Sequence, residues 1–153
     1  MGSRHYPSDE YIAGFLDGDG SIVATLERYN SKRFPYSFRV KVNFSQHAKH
    51  IKVLKLIQET LGGFGAIRIN AKKNLGELVI RERTEVQTVL ARLAPHVIIK
   101  KRQIILAQKV LHLLRFNKKH KPSTLSEGAY TRVLQLMQDI RNLNSRTGGK
   151  GEV

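Results

Sequence analysis

A nine-residue segment near the start of the chain, IAGFLDGDG at residues 12–20, constrains the fold more than any other sequence feature. It continues a helix that Ser8 can cap, and Gly14 and Gly18 lie four residues apart on one face of that helix. A glycine inside a helix costs about 0.5 to 1 kcal/mol relative to alanine. Two such glycines therefore indicate that another helix packs closely against this face.

The two acids in this segment are expected to have different roles, because residues two apart on a helix point in nearly opposite directions. Asp19 stands at the predicted helix end, where main-chain carbonyls lack partners and the helix dipole is negative. Magnesium prefers few protein ligands, so a carboxylate oxygen of Asp19 and the carbonyl of Gly18 could bind it. The alternatives are a plain glycine- and aspartate-rich turn or a calcium loop, but the EF-hand ligand at the twelfth position is missing.

Strict alternation of apolar and polar residues from 38 to 44 predicts a half-buried strand. Its outer face carries Arg39, Lys41 and Asn43, which are side chains that contact phosphates and base edges. A second pair of strands at 66–70 and 77–81 repeats this pattern. The outward residues of that pair are Arg68, Asn70, Glu77, Val79 and Arg81, and the inward ones are Ile67, Ile69, Leu78 and Ile80. The alternative for each strand is an ordinary charged outer face.

The remaining periodicity predicts an α+β fold. It places a strand at 21–26 and helices at 48–61, 85–94, 101–116 and 127–144. The order is αββαββα, with a four-stranded antiparallel, saddle-shaped sheet and additional C-terminal helices. Residues 1–144 are expected to form one domain, and 145–153 a disordered basic tail. The expected core includes Tyr11, Ile12, Phe15, Leu16 and the apolar residues of 104–114.

Charge points to a polyanionic partner. The chain has 153 residues, 27 Lys and Arg against 12 Asp and Glu, and a net charge of +15. The signs are segregated: residues 9–27 hold acids and no Lys or Arg, whereas 28–52 hold bases and no acid. This pattern suits a metal site beside a phosphate track. A ribosomal-type RNA-binding protein is the alternative that composition alone leaves open.

Composition excludes several classes of protein. With 41% hydrophobic residues the chain can bury a core, and with no cysteine it has neither a disulfide scaffold nor Cys-ligated zinc nor thiol chemistry. No apolar run reaches the roughly 18 to 20 residues that span a bilayer, and the start of the chain lacks a signal-peptide pattern. The expectation is a soluble, intracellular protein without a membrane or small-molecule cofactor.

The segment IAGFLDGDG resembles the LAGLIDADG motif of homing endonucleases, and the basic αββαββα pattern around it is also typical of that family. The resemblance extends to residue 144 and is to the single-motif members, because the motif occurs once. It implies a homodimer that binds a long, pseudo-palindromic double-stranded DNA site and cuts both strands, leaving 3′ overhangs. The dimer interface implied by the motif comprises Ala13, Gly14, Asp17 and Gly18.

The resemblance also implies a metal site and catalytic residues. Asp19 and the Gly18 carbonyl would bind Mg²⁺, with Mn²⁺ or Ca²⁺ able to occupy the site. Gln46 falls where the family has a glutamine that organises solvent. His50 stands where an arginine is usual, with Lys49 beside it; which of the two takes that role is open, because imidazole is only partly charged at neutral pH.

A lysine is the last catalytic residue that the resemblance implies. Lys100 falls at the position of the family's active-site lysine, and Lys101 and Arg102 are close rivals. The alternative for each of these basic residues is a surface cation that contacts phosphate. Intron homing in a prokaryotic cytoplasm or nucleoid, or in an organelle, is the implied setting.

Twelve residues are expected to face DNA. They are Thr25, Glu27, Tyr29, Asn30, Lys32, Arg39, Lys41, Asn43, Arg68, Asn70, Glu77 and Arg81. The two acids among them would be repelled by phosphate unless they accept from cytosine or orient an arginine. One alternative to the endonuclease is a non-cleaving nucleic-acid-binding protein, which could be an RNA maturase or a transcription regulator. The other alternative is a structural RNA-binding protein. Retention of Asp19 favours the nuclease.

Overall fold

The computed structural model describes residues 5–29, 34–117 and 121–145. Its helices are α1 (Asp9–Asp19), α2 (Ile51–Thr60), α3 (Arg83–Leu93), α4 (Lys101–Leu113) and α5 (Glu127–Asn144). Its strands are β1 (Gly20–Arg28), β2 (Tyr36–His47), β3 (Ala66–Asn70) and β4 (Leu75–Ile80). Within these described ranges, no helix combines the length and the apolar character that a membrane crossing requires.

The strands form one antiparallel sheet in the order β1-β2-β4-β3. The register pairs Phe44 with Leu78 and Leu78 with Ile67, so these apolar side chains share the inner face of the sheet. The α+β fold and the element order αββαββα with two C-terminal helices are therefore confirmed.

Several element boundaries differ from those expected. The helix expected at 48–61 begins as a 3₁₀ turn at Ala48–His50 and is α-helical only over α2. β4 starts earlier than expected and ends at Ile80, so Arg81 follows the strand. The helix expected at 101–116 ends at Leu113, because the Arg115 guanidinium and its main-chain N–H both bond the carbonyl of His112 and tighten the chain into a turn.

The described residues divide into two compact units. The first contains those up to Ser21 together with Lys41–Lys101, and the second contains those in Ile22–Val40 and from Arg102 onward. The expectation of one domain over residues 1–144 stays a prediction. A disordered tail was expected at 145–153, and residues 146–153 lie outside the described residues. Asn30 and Lys32, expected to face DNA, lie outside them as well.

The first unit has a core of helix and sheet side chains that are fully buried. Among the largest of these side chains are Ile12, Leu16, Phe44, Leu54 and Leu78. Two expectations for this unit are wrong. Tyr11 is 50% exposed because it lies on the outer side of α1, where it contacts the ring of Phe15.

Ile69 is the second wrong expectation, since it is 62% exposed. It lies on the edge strand β3 and pairs with Gly76 of β4. A Cβ on Gly76 would come within 2.5 Å of Ile51, so α2 packs directly on the backbone there. The apolar side chains of α2 therefore cover β4, and Ile69 on the neighbouring edge strand β3 is left exposed.

The second unit buries one face each of α4 and α5. Tyr130 anchors it by stacking on Phe34 at 4.3 Å between ring centroids, and its hydroxyl accepts the main-chain N–H of Tyr36 at 3.2 Å. Ile105, expected in the core with the other apolar residues of 104–114, is 38% exposed because it lies on the outer side of α4.

Candidate functional site

The two acids near the end of α1 point to different surroundings. Asp19, the last residue of the helix, is exposed, and its Oδ2 accepts a long hydrogen bond of 3.4 Å from the Gln46 side-chain amide. The Gln46 Oε1 is fixed in turn by the main-chain N–H of His47 at 2.9 Å. The glutamine and the terminal acid that the sequence suggested are therefore brought together.

Asp17 contacts the segment that precedes α4. Its carboxylate accepts three consecutive main-chain N–H groups, from Ile98 at 2.8 Å, Ile99 at 3.2 Å and Lys100 at 3.0 Å. The Lys100 ammonium donates to the main-chain carbonyl of Asp17 at 2.7 Å. Lys100 is consequently held at the end of α1, whereas Lys101 and Arg102 are exposed in the first turn of α4.

The pKa of Asp17 lies below its ordinary value. Partial burial raises the pKa, but the N–H groups of Ile98, Lys100 and Ile99 favour the carboxylate and outweigh the burial, and the positive charge of Lys100 adds to them. Asp17 is therefore ionised at neutral pH. Asp17 and Asp19 both lie in the last turn of α1, which contains no basic residue of its own.

The residues at this helix end fit a divalent cation that keeps most of its water. Asp19 and Gly18 are both exposed and offer a carboxylate oxygen and an adjacent carbonyl. Across the described ranges no cluster of three or more His, Asp and Glu side chains is positioned to hold a metal ion. A sparse, all-oxygen donor set suits magnesium or calcium with bound water rather than zinc.

One face of α1 is open. A Cβ added to Gly14 or to Gly18 would meet no atom of the described residues within 4 Å. Ala13, by contrast, is completely buried inside the chain. Gly20 is crowded, because its added Cβ would lie 2.8 Å from the main-chain oxygen of Asn43. The glycines thus serve two purposes, since Gly20 permits a close strand approach and the other two leave an uncovered helix face.

The outer face of the sheet in the first unit carries polar residues in a row. Cross-strand pairing joins Ser45 to Glu77 and Glu77 to Arg68, so the three side chains share that face. Asn43 and Val79 pair on the same face, and Asn43 Oδ1 is buried without a hydrogen-bond partner among the described residues. Val79 is buried as well, so the outward row expected on β4 is less exposed than its alternation suggests.

Both acids expected on the outer face contact an arginine. Glu27 Oε1 accepts from Arg39 Nε at 2.7 Å in the second unit, and Glu77 Oε2 accepts from Arg68 at 3.2 Å in the first. The Arg39 side chain is only 17% exposed, whereas that of Arg68 is 68% exposed. These contacts are those of an acid that orients an arginine, and whether either acid also accepts from cytosine stays a prediction.

The other expected DNA-facing residues are placed on or beside the strands. Thr25 on β1 and Lys41 on β2 are half-buried, and Asn70 at the end of β3 and Arg81 after β4 are exposed. Tyr29 follows β1, and its main-chain N–H donates to the carbonyl of residue 35 at 2.7 Å.

His50 and Lys49 lie in the 3₁₀ turn before α2, and both are exposed. His50 occupies the N-cap position of α2, but its side chain makes no capping hydrogen bond. The imidazole is therefore not used to start the helix. Which of the two replaces the usual arginine stays an open prediction.

Sequence patterns missed the contact between Asp17 and the segment before α4. The partners are 81 to 83 residues apart in the chain, and two of them are isoleucines that offer only their main-chain N–H groups. The one available signal was the exposed apolar pair Ile98-Ile99 directly before a basic run, which does not identify a partner.

Comparison with known proteins agrees with this arrangement. The sequence model of the LAGLIDADG endonuclease family matches residues 12–120. The chain is 32% identical over 121 residues to DNA endonuclease I-CvuI of Chlorella vulgaris, covering 78% of this chain and 71% of that protein. It is 29% identical over 105 residues to DNA endonuclease I-CreI of Chlamydomonas reinhardtii, covering 68% and 62%.

The fold is also that of a solved member. This member is homing endonuclease I-CvuI, whose crystal structure was determined in complex with its target in the presence of 2 mM Ca. Superposition of the two structures gives a TM-score of 0.75 and 26% sequence identity, and it covers 88% of this chain and 80% of the I-CvuI chain. The chain spans between 12% and 71% of the lengths of the curated relatives that it matches. The family match, the motif at the end of α1 and the shared fold show that this chain belongs to the LAGLIDADG endonuclease family.

Proposed function

We propose that this chain is a site-specific homing endonuclease that acts as a homodimer and uses a divalent cation to cut double-stranded DNA. The observation that carries the proposal is the grouping of Asp19, Gln46 and Lys100 at one end of α1, beside the open face of Gly14 and Gly18. I-CvuI, a relative of this chain, has been solved with its target DNA in the presence of calcium and with another target in the presence of 2 mM Mg.

Dimerisation would complete the site. A single chain supplies one acidic helix end, and cutting two strands requires two. The bare surface at Gly14 and Gly18 permits the α1 helices of two copies to approach almost backbone to backbone, which brings their terminal acids together. A two-fold symmetric protein reads a site of matching symmetry, hence the pseudo-palindromic target.

The chemistry can be divided among the residues of this chain. A divalent cation held by Asp19 and the Gly18 carbonyl would supply Lewis acidity and charge at the scissile phosphate. Gln46 would orient the carboxylate of Asp19 and nearby water, and its hydrogen bond to Asp19 supports this role. Lys100 contributes a positive charge with N–H donors left for a phosphate oxygen.

The outer faces of the strands would bind the DNA. Arg39 and Arg68, each oriented by a glutamate, have the planar donor fork that recognises guanine in the major groove. Lys41 and the basic residues after the strands would contact phosphate. The non-cleaving alternative, a maturase or regulator, is not favoured, because a protein that only binds has no need of the grouped acid, glutamine and lysine.

The test is cleavage of DNA recovered from a randomised duplex library by binding to the purified protein. We expect double-strand breaks with 3′ overhangs in the presence of Mg²⁺, and binding without breaks after chelation. Binding without cleavage at every concentration of divalent ion tested would contradict the nuclease and favour the maturase or regulator alternative.

Salt should weaken DNA binding steeply. The chain carries a net charge of +15, and each phosphate contact is expected to contribute a slope of about −0.9 in log K against log salt concentration. Titration of the recovered duplex from low to high salt measures this slope. A response that is nearly flat would contradict a DNA surface built from the basic strands.

The substitution Glu27→Gln should relax specificity rather than abolish binding. The glutamine cannot hold Arg39 by charge, so the guanidinium samples other orientations and loses about 1 to 3 kcal/mol of discrimination at the base pair that it contacts. Binding to a set of single-base variants of the recovered duplex measures the change. Glu10→Gln removes the same charge from the start of α1 and should leave discrimination unchanged; an equal loss in both variants would contradict the role of Glu27.

A further inference from the structure

We propose that Asp17 is a positioning residue for catalysis: its carboxylate fixes the main chain of residues 98–100, and its carbonyl receives the Lys100 ammonium. This inference rests on the proposed endonuclease function and assigns the task of placing the lysine to a residue of the motif itself. This positioning role involves neither the metal site nor the dimer interface to which the resemblance assigns Asp17, because all four hydrogen bonds lie within one chain.

The segment before α4 has little else to hold it. The side chains of Ile98 and Ile99 are 84% and 71% exposed, so apolar burial does not fix these residues. Val97, one residue earlier, is buried. The main chain therefore leaves the core at Val97 and is tied down over the next three residues by the Asp17 carboxylate.

A carboxylate suits this task better than its amide analogue. Ionised Asp17 accepts hydrogen bonds at both oxygens, and Oδ2 accepts two while Oδ1 accepts one. Asparagine would present an NH₂ group to one side of this set, where donor would face donor. Charge-assisted hydrogen bonds are also roughly twice as strong as neutral ones.

The second half of the contact places the ammonium. Lys100 Nζ lies 2.7 Å from the carbonyl oxygen of Asp17, in the last turn of α1. Such a carbonyl has no partner inside its helix and lies at the negative end of the helix dipole, so it favours a cation. The partner is a carbonyl rather than a carboxylate, which leaves two N–H donors for a phosphate oxygen or water. Main-chain and side-chain contacts together hold the lysine at the helix end that carries Asp19.

The first test measures hydrogen exchange in the protein without DNA or metal. In the wild-type protein we expect the amides of Ile98, Ile99 and Lys100 to be protected despite the exposed side chains. In Asp17→Asn their exchange should accelerate about 10- to 100-fold. Unprotected amides at residues 98–100 of the wild-type protein would overturn the proposal. This outcome does not depend on whether the Asp17→Asn variant folds.

The second test is a double-mutant cycle on single-turnover cleavage of the recovered duplex, with Asp17→Asn and Lys100→Met. Misplacement of a catalytic group can cost about 10²-fold, so Asp17→Asn alone should slow cleavage by about that factor while DNA affinity in Ca²⁺ stays unchanged. If Asp17 acts through Lys100, adding Asp17→Asn to Lys100→Met should change the rate by no more than about twofold.

Asp9→Asn is the matched control, because Asp9 lies on the same helix and holds a basic side chain, Arg92, at 2.8 Å. It should change neither the exchange at 98–100 nor the cleavage rate. Independent effects of Asp17→Asn and Lys100→Met in the cycle, or loss of DNA binding together with cleavage, would overturn the positioning role. A wild-type protein that cuts no duplex would refute the proposed function instead, and the exchange experiment would still decide whether the Asp17 contact exists.

Discussion

We expect Asp19→Asn to bind its DNA site with little loss of affinity and to cut it at least about 10³-fold more slowly. A bound metal ion contributes several kcal/mol to transition-state stabilisation, and about 1.4 kcal/mol corresponds to a factor of ten in rate. Asp19 is exposed at the end of α1, so the neutral amide should not disturb the core. Single-turnover cleavage and binding in Ca²⁺, measured on one duplex, separate the two effects.

The matched control for Asp19 is Asp139→Asn on α5. Asp139 also accepts a hydrogen bond from a glutamine, Gln135, at 2.9 Å, but it lies in the other unit of the chain. This variant should cleave at the wild-type rate. Normal cleavage by Asp19→Asn would show that the acid at the helix end is not the metal ligand, and the assignment of Gly18 would be withdrawn with it.

The second large effect is expected from Gly14→Leu, which should dissociate the proposed dimer. Within the described part of the chain a Cβ at this position meets no atom within 4 Å, and replacing glycine in a helix is itself favourable. In a two-fold interface the leucine is introduced twice, and overpacking costs about 1 to 3 kcal/mol at each site. Sedimentation equilibrium should therefore show a dimer weakened by about 2 to 6 kcal/mol, with cleavage lost in parallel.

Gly128→Leu provides the control for this substitution. Gly128 is also a helix residue at which an added Cβ would meet none of the described atoms within 4 Å, but it lies near the start of α5. It should leave assembly and cleavage intact. A wild-type protein that is monomeric when bound to its target, or a Gly14→Leu variant that assembles normally, would contradict the proposed interface.

The sequence anticipated the composition of the site better than its connections. Alternation along β2 correctly placed Arg39 on the outer face, and the family resemblance pointed to Asp19 and Gln46, which lie within 3.4 Å of each other. Alternation could not say that Arg39 would be paired with Glu27, because that contact depends on how two strands lie side by side. It also failed for Ile69, whose cover depends on where α2 packs.

Local periodicity and capping residues were sufficient to predict which segments are helices and strands and which faces of them are mainly buried. Those signals repeat every two to four residues, so they are complete within each element. The helix period also predicted that Asp17 points away from Asp19, but only the tertiary structure decided that its carboxylate holds residues 98–100. That contact joins parts of the chain 81 to 83 residues apart. It uses main-chain N–H groups, which every residue except proline possesses, so no residue type in the sequence identifies the partners.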